Sequence, residues 1–204
     1  MSFVDTPAQA VKSAIELFVF ACFLADAIDQ KLITPKSFQE QIRLDEGGFG
    51  LDLKAVFKDE QLKAHAHNMI IMTVGTTAMA TNKAMEVVFG KEFHPNDTSP
   101  EGSGRVLLYQ IRCAFAHDPL NPVWTPNINK YNHTYRVKVQ VRRASGGVIE
   151  RPIEFHPPSL KNKPLIPEHI GGLAGYMGLL HYFLARIEGD PKGRQTYPAP
   201  VEES

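Results

Sequence analysis

A chain of 204 residues with 43% hydrophobic and 22% charged content can bury a sizeable core, which excludes the disordered and fibrous classes. Twenty-two lysines and arginines balance twenty-two aspartates and glutamates, so no global field draws the molecule to nucleic acid or membrane, and any such attraction must be local. Two cysteines, Cys22 and Cys113, support neither a disulfide framework nor a four-ligand zinc site, and a reducing cytoplasm is the expected setting.

The segment Met1 to Pro7 lacks the charged start of a signal peptide. The uncharged run Leu17 to Ala25 is about half of the ~20 residues that cross a bilayer, so a buried helix is expected and no membrane partner. From Pro7 to about Leu32, apolar residues recur at Ala14, Leu17, Phe18, Ala21, Ala25 and Ile28, which is helical spacing, with Thr6 as cap and Pro7 at the first position. Thr34-Pro35 breaks this helix, Ser37 to Leu44 is read as a short helix, and Gly47, Gly48 and Gly50 mark a turn. A long helix follows from Asp59 to Phe89, despite Gly75, and then a polar loop from His94 to Gly104.

Arg105 to His117 returns to helical spacing with Leu108, Ile111, Ala114 and Phe115 facing a core. Asp118 precedes Pro119, which pushes it out of the helical region, so this helix should stop at His117. From Tyr131 the period changes to two: Tyr135, Val137, Val139 and Val141 alternate with Arg136, Lys138, Gln140 and Arg142. Ala144 to Gly147 then turns the chain into Val148 to Phe155, completing a β-hairpin. Pro167 opens a last helix to about Ile187, and the proline-rich tail, residues 191–204, should be mobile. The expected fold is mainly α: an antiparallel helical bundle over residues 1–190, with a β-hairpin at 130–160 inserted before the last long helix.

The string most suggestive of chemistry is Ile111-Arg112-Cys113-Ala114-Phe115-Ala116-His117-Asp118-Pro119. Its Arg-x4-His core, closing a late helix of a helical protein, resembles the motif of the HEPN superfamily, the helical nucleotide-binding domains of higher eukaryotes and prokaryotes. The resemblance implies a homodimer whose paired late helices form a cleft and, in many members, a metal-independent endoribonuclease acting as a toxin or host-defence effector. RNA and an antitoxin or other protein would then be its partners. Arg112 matches the family arginine and His117 the family histidine. Members that cut RNA often carry a polar residue directly after the arginine, where this chain has Cys113. A noncatalytic module that binds nucleotide, nucleic acid or protein is the alternative.

Elementary chemistry suits these two residues to the task. Cutting RNA without metal needs a group that moves protons on and off the 2′-hydroxyl and the leaving oxygen, and a cation for charge growing on the phosphoryl oxygens. A histidine in a last helical turn can shuttle protons, and an arginine offers a planar fork matching two phosphate oxygens. The same residues can instead close the helix by bonding its last carbonyls or by pairing with Asp118. Five positions at 100° each set Arg112 and His117 about 140° apart on an ideal helix. They meet only if the helix unwinds at His117 or if two chains each supply one of them.

Arg105, Tyr109 and Arg112 do fall on one face, a strip suited to phosphate. The hairpin region from Lys130 to Pro164 holds eight basic residues, among them Arg136, Lys138, Arg142 and Arg143, against only Glu150 and Glu154. Such a ribbon can track a phosphate backbone, or its charges can simply blunt an exposed sheet edge. His65 and His67 sit two apart on a helix and cannot grip one metal, and neither a metal nor a cofactor is expected. Trp124 either covers the end of the third helix or stacks on a base.

Overall fold

The computed structural model describes residues 6–38, 41–43, 50–52, 58–91, 93–143 and 146–189. The expected turn at Gly47-Gly48 and the expected mobile tail, residues 191–204, lie outside them. The protein is mainly helical, with a two-stranded antiparallel hairpin before its last helix. Its elements are α1 (Pro7–Asp29), β1 (Gln41–Arg43), β2 (Gly50–Asp52), α2 (Asp59–Phe89), α3 (Pro100–His117), β3 (Tyr135–Arg142), β4 (Val148–Phe155), the single turn α4 (Pro157–Leu160) and α5 (Gly172–Ile187). None of the described helices is long and apolar enough to cross a membrane.

The chain divides into two compact units, Met1–Ile15 with Gly75–Ser204, and Glu16–Val74. In the smaller unit the end of α1 meets the start of α2: Ala25 and Ile28 cluster with Leu62 and Ala66, and Asp29 pairs with Lys63 at 2.9 Å. Ser37 to Leu44 departs from the expected short helix. A 3₁₀ turn, Pro35–Phe38, is followed by β1, which pairs with β2 in the register Gln41↔Asp52, Ile42↔Leu51, Arg43↔Gly50. So short a segment has no room to show a period, and a strand's partner lies outside any local window.

In the larger unit α1 starts as expected, with the Thr6 hydroxyl accepting from the Gln9 amide at 3.2 Å. Antiparallel packing of α3 on α5 sets Gly104 against Phe183 and Glu101 against Arg186, and antiparallel packing of α2 on α3 sets Gly75 against Phe115 and Glu86 near Arg112. The Tyr176 hydroxyl and the Thr77 hydroxyl hydrogen-bond at 2.8 Å inside this core. The hairpin lies on α3 and α5 through β3, whose Tyr135, Val137 and Val139 are buried while Arg136, Lys138 and Gln140 are exposed. The alternation and the hairpin follow the expectation, and the structure sets the register, from Tyr135↔Phe155 to Arg142↔Val148.

Helix α5 begins later than expected, because Gly171 and Gly172 take positive φ values of 80° and 71° and separate it from the 3₁₀ turn Pro167–Ile170. Backbone approaches backbone closely at Gly178, where an added Cβ would stand 2.7 Å from the Gln140 carbonyl oxygen. We expect Gly178→Ala to push β3 off α5 and to cost about 1–3 kcal/mol of stability, measured by urea unfolding. An unchanged midpoint would mean that the hairpin yields freely.

Candidate functional site on helix α3

Helix α3 begins earlier than the Arg105 expected from the apolar pattern. Ser99 caps it, its hydroxyl accepting from the Gly102 amide at 3.1 Å, and Pro100 occupies the first turn. Gly102, Ser103 and Gly104 resemble a loop in sequence but are buried, since only small side chains fit there: Phe183 lies against Gly104 and the Ser103 hydroxyl accepts from the Arg136 amide. Val106, Leu107, Ile111 and Ala114 are buried, leaving Arg112, Ala116 and His117 outside. At the other end α3 runs through His117 and stops at Asp118, which is extended with φ −147° and ψ 104°, as proline at 119 requires.

Arg112 and His117 are therefore both exposed, on the last two turns of one continuous helix. The helix does not unwind between them, so they project about 140° apart and do not converge within one chain. Arg112 has Glu86 of α2 at 3.9 Å, and Glu86 also accepts from the Asn82 side-chain Nδ2 and lies 3.6 Å from Lys83. Asp118, a candidate partner for the pair, is otherwise engaged. Its carboxylate accepts from the amides of Leu120 and Asn121, each at 3.0 Å, and these bonds hold it below the usual carboxylate range.

The rest of the strip is divided. The Arg105 guanidinium donates to the Gly90 carbonyl at 2.8 Å and covers the Phe93 ring at 5.2 Å; burial pulls its pKa down. It fastens the α2–α3 connection more than it faces solvent. Tyr109 is half-buried, 5.6 Å from the Phe93 ring and 5.9 Å from that of Tyr131, and a hydrogen bond to Cys113 raises its pKa. Cys113 thus has a polar partner in Tyr109, although both cysteines are free thiols.

On the hairpin, Arg136 pairs across the ladder with Glu154 at 2.6 Å and Lys138 with Glu150 at 3.1 Å. These are exposed pairs, worth little, so both cations remain open to a stronger anion. Arg142 is half-buried and Arg143 is exposed at the strand end. None of the eight residues singled out for chemistry or RNA contact is buried, but only Tyr109 among them lines the cavity of about 510 Å³ beside α3. Lys91, His94 and Lys130 with Phe93 and Tyr131 form most of its wall. These were missed because they come from separate loops; the adjacent Lys130-Tyr131 was the one local hint. No cluster of three metal-ligating side chains occurs among the described residues.

Trp124 resolves to its structural role. It is 1% exposed, and its indole N–H donates to His169 Nδ1 at 3.0 Å, so it has no face left for a base. Desolvation lowers the pKa of His169 and of His181 from the ordinary value near 6.5. A histidine whose folded pKa is depressed stabilises the fold fully above its unfolded pKa and loses that contribution as pH falls through the folded one. Stability should therefore decline from about pH 6.5 downward, and His169→Gln, which cannot titrate, should leave only the part due to His181; thermal unfolding across pH 5 to 8 reads this directly.

Comparisons of the chain with protein-family models, with curated proteins and with solved structures yield no match.

Proposed function

We propose that the chain is a HEPN-like, metal-independent endoribonuclease that works as a homodimer, cutting RNA to leave a 2′,3′-cyclic phosphate. Its supporting observation is the exposure of a guanidinium and an imidazole, Arg112 and His117, on the closing turns of a single helix whose other side is core. Arg112 is the clamp for charge on the phosphoryl oxygens, and His117 moves the proton. Because the two diverge on one helix, the working site takes Arg112 from one chain and His117 from its twin across a two-fold axis. The exposed cations of the hairpin, Arg136, Lys138 and Arg143, supply sequence-independent attraction for the strand. A toxin or host-defence effector restrained by an antitoxin or other protein partner is the cellular role this reading favours, in the cytoplasm.

The engagement of Cys113 with Tyr109 favours a second reading, a noncatalytic module that binds nucleotide, nucleic acid or protein. Labelled RNA incubated with pure protein in EDTA separates the two. Cutting that disappears in both His117→Ala and Arg112→Ala supports the nuclease; binding with no cutting supports the module.

A further inference from the structure

The cavity beside α3 combines three properties. One wall is aromatic: Tyr109 lies edge-on to Phe93 at 5.6 Å and tilted to Tyr131 at 5.9 Å, and the Arg105 guanidinium sits over the Phe93 ring. The rim carries two exposed cations, Lys91 and Lys130, with the imidazole of His94 beside them, and no carboxylate lines it among the described residues. Its volume, about 510 Å³, falls within the range of small-molecule sites.

An aromatic wall beside two lysine ammonium groups and an imidazole matches a ligand with a planar base at one end and a phosphate at the other. We propose that this cavity takes one unpaired nucleotide, its base against the Phe93, Tyr109 and Tyr131 wall and its phosphate between Lys91, Lys130 and His94. A base held in a duplex cannot enter, so the site selects single strands or free nucleotides. The assignment deepens the RNA reading above and rests on it for the source of the nucleotide. Tyr109 and His117 are eight residues apart, ~12 Å along the helix axis, so the captured nucleotide is a neighbour of the scissile one and anchors the strand.

Isothermal titration in EDTA of the full chain with adenosine 5′-monophosphate, ribose 5-phosphate and a short single-stranded RNA tests the site. Adenosine monophosphate should bind, and Lys91→Ala and Lys130→Ala, both at exposed positions that do not endanger the fold, should each weaken it on the order of tenfold. Ribose 5-phosphate, lacking the base, should bind at least about fivefold more weakly, and Tyr109→Leu should narrow that gap. RNA that loses affinity in the same variants identifies a strand as the source. Adenosine monophosphate binding with no RNA binding upholds the pocket and identifies a free nucleotide, while sinking the nuclease reading. Absence of adenosine monophosphate binding, or equal binding by wild type and both lysine variants, overturns the pocket whatever the RNA result.

Discussion

His117→Ala is expected to lower RNA cleavage in EDTA by about 10²–10⁴-fold, the usual worth of a positioned acid or base, and Arg112→Ala by a comparable factor. Neither change should unfold the protein, because both side chains are exposed and α3 is capped by other residues. The sharper result comes from mixing the two dead variants. If each site joins Arg112 of one chain to His117 of the other, a mixed dimer holds one site that lacks both groups and one that lacks neither. Random re-association makes about half the dimers mixed, so roughly a quarter of wild-type activity should return. A site built within one chain returns nothing on mixing. Arg112→Lys belongs in the same series, since a lysine keeps the charge but not the bidentate fork and should recover only a fraction of the rate. A protein that stays monomeric at micromolar concentration while cutting RNA would rule out the shared site.

The largest expected loss of stability follows Trp124→Ala. Emptying a site 1% exposed removes a large apolar contact area and leaves a cavity, at about 3–5 kcal/mol, with a fall in Tm on the order of 10 °C for a chain of this size. The position also fastens the segment after α3: the Trp124 amide donates to the Lys163 carbonyl, the Asn162 amide donates back to Trp124, and the Leu165 amide donates to Pro122. Trp124→Phe keeps most of the packing and loses the bond to His169, so it should cost only about 1 kcal/mol. If cleavage survives Trp124→Phe but fails in Trp124→Ala well below its Tm, the anchored loop positions His117. Equal unfolding midpoints for wild type and Trp124→Ala would contradict the buried indole.

The start of α1, the limits of α2, the stop at His117 and the β3–β4 hairpin were legible because each depends on neighbours in the chain: a period of 3.6 or 2, a proline that forbids the preceding helical turn, a threonine that caps. The exposure of Arg112 and His117 follows the same rule, since both lie off the apolar stripe of α3. What lay beyond local reading depends on partners distant in sequence. Gly102 to Gly104 joins α3 because Phe183 needs the space, β1 is a strand because β2 completes its hydrogen bonds, and Arg105 is tied down because Gly90 and Phe93 reach it from another element. The cavity is the extreme case, with Lys91, Tyr109 and Lys130 drawn from segments that share no motif. Local conformational preference acts over a few residues of one chain, whereas a pocket is space left where separate elements pack, and only the folded molecule holds those elements together.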